Sequence, residues 1–202
     1  GADGAKGMKV TLTFINVDGI NNVKVAATEL SYGLGKGLGA LAENINKVAD
    51  QTGVRASFDV TIIADKPLEA SQIKSLSING VKIGDLEVKA NDSNGTLVNA
   101  INSVKDQTGV EASIDPQGKL RLTSREGRGI RILGDGAKGK NKIGESIGLT
   151  DKIDVSKGMF HGRLNLVRLD GRDIKVESGE GADKGSFSKA FSPTKKDDGD
   201  GG

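Results

Sequence analysis

Apolar residues recur at helical spacing in two places and alternate at strand spacing around them. Leu41, Ile45 and Val48 fall at i, i+4 and i+7, one face of a helix, and Leu97, Ile101 and Val104 repeat the pattern. Each run ends in Gln-Thr-Gly, which puts Gly53 and Gly109 where a helix needs a left-handed residue to stop. Alternation follows each glycine: Val54, Ala56, Phe58, Val60 and Ile62 in one place, Val110, Ala112 and Ile114 in the other. That is the period of a half-buried strand. Residues 39–60 and 95–116 match each other without a gap at an offset of 56, so the building unit is helix, glycine stop, strand. Asp92, Ser93 or Asn94 is expected to cap the second helix.

Hairpins open each unit. Val10, Leu12 and Phe14 alternate ahead of a turn at Asp18-Gly19, and Val23 and Val25 return. Leu76 and Ile78 meet Asn79-Gly80, the strongest short hairpin signal, before Val81 and Ile83. Residues 115–118 make a turn with Pro116 at its second position, leading to Leu120 and Leu122. Residues 124–129 turn again into Ile130 and Ile132. A third hairpin is expected from Leu164, Leu166 and Leu169 through Asp170-Gly171 to Ile174 and Val176. Residues 32–39 read as a glycine-rich lead-in to the first helix, 64–71 (with Pro67) as a linker, and 134–150 as a loop. The expected architecture is α+β, with helices on antiparallel hairpin-built sheets. Two small lobes are expected, residues 8–65 and 72–178, the second closed by the third hairpin, with 1–7 and 179–202 as flexible ends.

Composition narrows the function classes. Gly reaches 30 of 202 residues, hydrophobic residues are 35% and aromatics 3%, which suits short strands and turns and implies a thin core. Twenty-nine basic against 27 acidic residues leave no basic field for nucleic acid. No apolar run is long enough to span a membrane, and no secretory leader is recognisable. The absence of Cys excludes disulfides and thiolate metal sites.

Reactive motifs fall short of their requirements. Residues 134–140 nearly spell a phosphate-binding loop, but Asn141 stands where Ser or Thr would hold magnesium, and Gly144 and Gly148 weaken the helix that should follow. Gly33, Gly35 and Gly37 lack the dinucleotide spacing. His161 is the only histidine, so neither a His-based triad nor a two-His metal site can form within one chain. Asp197, Asp198 and Asp200 lack the closing Glu of a calcium loop. Asn94, Gly95 and Thr96 match a glycan acceptor pattern, against which stands a helix-capping loop. No catalytic, cofactor or metal residue is therefore assigned.

Residues 37–58, 78–84, 97–132 and 161–176 carry a resemblance, in family order, covering roughly residues 10–176. The chain resembles the central, surface-exposed region of a flagellin of the kind found in Campylobacter and Helicobacter relatives. The repeated unit is shared with the filament cap protein, but the long run 97–132 favours flagellin. Residues 134–158 and 177–202 match the pattern poorly. The resemblance implies a structural subunit, not an enzyme, secreted to the bacterial flagellum filament, with these domains facing outward. Its implied partners are other flagellin subunits, reached through terminal helices not present here, and neither nucleic acid nor membrane. The isolated chain is expected to be a monomer. In such relatives exposed Ser and Thr often carry acidic sugars; Ser75, Ser77, Ser93, Ser103, Ser146 and Ser156 are eligible by type. The alternative is a cap-like or adhesin-type module recognising glycans or a host surface. For that, Tyr32, Phe14, Phe58, Phe160, Phe187 and Phe191 are the whole stock of aromatic platforms.

Overall fold

The computed structural model describes residues 7–150, 155–157 and 162–178. Strands β1 (Met8–Val10), β2 (Leu12–Phe14), β3 (Val23–Lys24) and β4 (Thr28–Leu30) precede helix α1 (Leu38–Lys47), the single turn α2 (Ala49–Thr52) and the long strand β5 (Val54–Ile63). The hairpin β6 (Ser71–Ile78) and β7 (Val81–Val88) leads to α3 (Thr96–Ser103), α4 (Lys105–Thr108), β8 (Val110–Ile114), β9 (Leu120–Ser124) and β10 (Ile132–Asp135). The short α5 (Ile143–Ser146) is followed by β11 (Gly162–Arg168) and β12 (Val176–Ser178). The result is α+β, with antiparallel pairings throughout the ladders formed by these strands.

The duplicated unit folds the same way twice. Each helix breaks at a β-branched residue, Val48 or Val104, with φ −109° and −115°. One further turn follows, and Gly53 or Gly109 stops it with φ 70° or 74°. Leu41, Ile45, Leu97 and Ile101 are buried, as their spacing requires. The Asn79-Gly80 turn has φ 49° and 79°, the two left-handed residues of a primed hairpin turn.

The register of the sheets reveals a further relationship. In the second copy β8 pairs with β9, setting Val110 opposite Ser124, Ala112 opposite Leu122 and Ile114 opposite Leu120. In the first copy the same three positions of β5 face β11, with Val54 opposite Arg168, Ala56 opposite Leu166 and Phe58 opposite Leu164. Residues 120–132 and 164–176 align without a gap, leucine on leucine, and Gly127 and Gly171 share a left-handed φ of 74° and 71°. The chain then continues alike, with Ile132 of β10 opposite Ile78 of β6 and Val176 of β12 opposite Phe14 of β2. The second copy thus intervenes, in sequence, between β5 and β11 of the first, which pair with each other.

This explains why the third hairpin does not form a ladder. Its turn closes, with Gly171 N donating to Arg168 O at 3.2 Å, but Leu169 N donates to Gly53 O at 3.0 Å and turns the chain aside. The two strands join different sheets, β11-β5-β9-β8 and β12-β2-β3. The stretch 64–71 also differs from a free linker: Ala64 and Leu68 are buried, and their N–H groups donate to Leu120 O and Gly118 O, both at 2.8 Å. Within 134–150, expected as a loop, Ile143, Ile147 and Leu149 are buried around α5. Glycine and lysine dilute their apolar signal without removing it.

The far half of β5 passes to the second copy, with Thr61 opposite Thr123 and Ile63 opposite Arg121. Buried residues of both copies form one cluster, from Leu12 and Phe14 through Ile45 and Val60 to Ile101, Leu122 and Ile132.

Candidate functional site

The polar groups inside the fold are bonded for shape. In each copy an asparagine on the helix holds the following strand by its backbone, Asn46 on Ala56 and Asn102 on Ala112. Thr52 and Thr108 accept from Val54 N and Val110 N, each at 3.0 Å. Asp92 is the buried cap of the second helix, accepting from Leu97 N and Val98 N at 2.9 Å each. This satisfies N–H groups that a helix start leaves open. Asn94 Oδ1 serves Thr96 instead, taking its N–H at 3.2 Å and its hydroxyl at 2.9 Å.

The two copies meet where the 125–129 turn crosses the start of α1. A methyl group on Gly37 or Gly39 would strike the carbonyl oxygens of Gly127 or Glu126. Gly37 and Gly39 therefore provide close backbone approach, not slack. Beside them, buried Arg128 donates from Nε to Tyr32 O at 2.9 Å and from Nη1 to Gln107 O at 3.0 Å. Burial pushes its guanidinium pKa down, with Glu126 opposing. Arg131 lies over the Tyr32 ring, 5.3 Å from its centroid, and reaches the Tyr32 hydroxyl at 3.2 Å. That ring is engaged from within the fold.

The motifs singled out earlier are not brought together. Gly136 and Gly139 bond each other in a tight turn, Ala137 N donates to Ser146 Oγ, and Asn141 N donates to Asp135. Gly136, Ala137 and Gly139 thus spend their N–H groups within this segment, which leads into a four-residue helix. Ser75, Ser93 and Ser103 are exposed, while Ser77, Ser146 and Ser156 are half-buried. Phe14 is buried and Phe58 partly so. His161, Phe160, Phe187, Phe191, Asp197, Asp198 and Asp200 lie outside the described residues. Among the described residues no cluster of three or more His, Asp or Glu is placed to hold a metal, and no helix is long and apolar enough to cross a membrane.

Open grooves lie among the described residues, and the two described next were not legible in the sequence. One, ≈ 690 Å³, runs between α1 and the 126–128 turn, with Phe58 and Ala56 on its floor and Glu43, Glu126 and Arg128 at its rim. The other, ≈ 680 Å³, lies between residues 24–27 and the C-terminal end of α1. Val25, Ala26, Ala27 and Val48 line it, and Lys9, Lys24 and Lys47 surround it. Next to it in sequence, the first hairpin ends in a loop organised by Asp18. That carboxylate accepts from Ile20 N at 2.9 Å, Asn21 N at 2.6 Å and Asn21 Nδ2 at 2.8 Å. The hydrogen bonds from Asn21 are the main reason its pKa falls to about 2.

A scaffold of repeated shape agrees with what the chain is similar to. The profile of the flagellin hook IN motif matches residues 11–71 and again 75–126. Flagellin A of Helicobacter felis is 43% identical over 173 residues, 85% of this chain and 34% of its own length. Flagellin B of Helicobacter pylori is 42% identical over 169 residues, 83% of this chain and 32% of its own. The flagellar hook protein of Helicobacter pylori is 32% identical over 111 residues, 52% of this chain and 15% of its own. The chain spans about a third of the length of the flagellins it matches. With its motif matched twice and over more than half of its residues, the chain belongs to the flagellin hook IN motif family.

Proposed function

We propose that this chain is the outward-projecting part of a bacterial flagellar filament subunit, a structural element and not an enzyme, secreted and displayed along the filament. The observation that carries this reading is the pairing of β12 with β2, where Ser178 stands opposite Leu12. Paired strands lie about 4.8 Å apart, so the last described strand runs beside one of the first. A body whose early and late strands are neighbours is carried readily as an insertion in a longer chain. The flagellin relatives supply that longer chain, since each extends well beyond the matched region. Other subunits of the same filament are its partners.

The reading as a glycan-recognising adhesin or cap module has less support, because Phe14 is buried and Tyr32 is engaged by Arg131. The test is immunogold labelling of intact, unpermeabilised cells with antibodies raised against this chain. Label along the whole filament is expected. Label confined to the hook, to the filament tip or to the cell interior would refute the proposal.

A further inference from the structure

The two copies of the unit serve as controls for each other. Where the second copy has Arg125, held by Glu111 at 2.9 Å, the first has Leu169, 72% exposed. The second hairpin turns in two residues, and Asn79 tucks into the body. The first turns through a longer loop whose apolar residue Ile20 is 83% exposed. Both exposed side chains belong to one end of the molecule. Ile15 N donates to Lys175 O at 2.9 Å, and an Arg168 Nη donates to Val17 O. The loop is not slack, because Asp18 ties Ile20 and Asn21, and Val17 N donates to Asn21 O at 3.0 Å. An exposed apolar side chain on a preformed turn loses little conformational freedom when it is buried by a partner.

A receptor of matching chemistry lies on the flank of the same hairpin. The groove's accessible apolar surface, from Ala26, Ala27 and the half-buried Val48, suits an aliphatic side chain, and Lys9, Lys24 and Lys47 beside it suit a carboxylate. Lys47 has Glu43 at 3.9 Å, and Lys9 stands opposite Glu29, which pairs with Lys36 at 3.0 Å. The Ile20 loop offers both halves of the complement: an aliphatic residue and, two positions earlier, the exposed carboxylate of Asp18.

We propose that the Ile20 loop of one copy of this chain seats in the lysine-rimmed groove of a neighbouring copy. The buried area is small, so the contact is weak, with a Kd on the order of 1 mM. It leaves the chain monomeric at low concentration and acts where subunits stand side by side at high effective concentration. That setting rests on the filament reading; the contact itself does not.

The test is concentration-dependent NMR on the isotope-labelled, intact chain with unlabelled chain added to about 1 mM. Amides of residues 18–21 and those of 24–27 and 44–48 should shift together, and less at high salt. Ile20→Asp should remove the shifts, as should Lys24→Glu combined with Lys47→Glu. Both variants should keep the wild-type spectrum when dilute, which excludes misfolding; Ile20→Ser replaces Ile20→Asp if it does not. Labelled Ile20→Asp chain mixed with unlabelled lysine-reversed chain restores one intact loop and one intact groove, and the groove shifts should return. No shift up to that concentration, shifts that survive both variants, or no return on mixing would each overturn the proposal. Such a failure leaves the immunogold result, and the filament reading, untouched.

Discussion

Asn102 holds Ala112 with the same two hydrogen bonds that Asn46 makes to Ala56. In both copies the strand N–H donates to Oδ1 at 2.8 Å and Nδ2 donates to the strand carbonyl at 3.0 Å. The side chain replaces a missing strand neighbour, so helix and strand are locked at a fixed distance. Asn46→Ala and Asn102→Ala should each cost about 1–3 kcal/mol, since both backbone groups lose their partners in a part-buried site. Urea denaturation should give similar losses for the two. A negligible loss at either position would show that water serves that strand equally well.

Gly39 separates helix propensity from packing. Its φ is not positive, so alanine would ordinarily be favoured in α1 by about 1 kcal/mol. A methyl group there, however, would strike the Glu126 carbonyl oxygen, which belongs to backbone and cannot swing away. Gly39→Ala should therefore destabilise by about 1–3 kcal/mol. Gly144 in α5 is the control: a Cβ there meets only Leu149 Cβ at 3.9 Å. Gly144→Ala should raise the melting temperature while Gly39→Ala lowers it.

The contrast between those glycines marks what can be read from sequence alone. The unit around Leu41 and Leu97, its glycine stops and the Asn79-Gly80 turn were legible because their signals are local. The partner of β5 was not. The likeness of Leu164 and Leu166 to Leu120 and Leu122 is short, and it assigns β11 to a strand about a hundred residues earlier. Strand periodicity gives the face of a strand, not its neighbour. Gly37 and Gly39 read as part of a glycine-rich lead-in and Gly127 as part of a turn, because composition does not show a close approach between distant backbones. The groove was invisible for the same reason, since Lys9, Lys24 and Lys47 become neighbours only through the fold.

Asp18 should confer acid sensitivity on the first hairpin loop. Its carboxylate titrates at about 2 in the folded chain, held down chiefly by the N–H groups of Asn21. An unfolded Asp titrates near 3.9, so the depressed folded value stabilises the fold above that pH. The contribution fades as pH falls below about 4 and is gone once pH passes below about 2. NMR titration of the Asp18 side-chain carboxyl should give a midpoint near the lower value, and Asp18→Ala should loosen residues 19–21 at neutral pH. A midpoint near 4 would mean the loop is not organised this way.

Asn79 gives the most discriminating substitution, because it combines a left-handed backbone with a fully bonded, buried side chain. Its N–H donates to Arg131 O at 2.9 Å, and its Oδ1 accepts from Arg131 N at 2.8 Å. Its Nδ2 donates to Thr108 O at 2.8 Å and to Gly129 O at 3.1 Å. Asn79→Gly keeps the φ of 49° accessible and removes only the side-chain bonds, at a cost of about 1–3 kcal/mol. Asn79→Asp keeps the acceptor but turns a charged oxygen toward two carbonyls. It should cost more than the glycine variant at pH 7. Those carbonyls and burial raise the new carboxyl's pKa in the folded state above its unfolded value. Protonation then favours folding, so the penalty should shrink as pH falls toward 4 and the neutral carboxyl donates where Nδ2 did. The comparison is urea unfolding of wild type and both variants at pH 7 and pH 4, where the Asp18 contribution cancels between chains. An Asn79→Asp penalty independent of pH would show that the substituted side chain leaves the site for solvent.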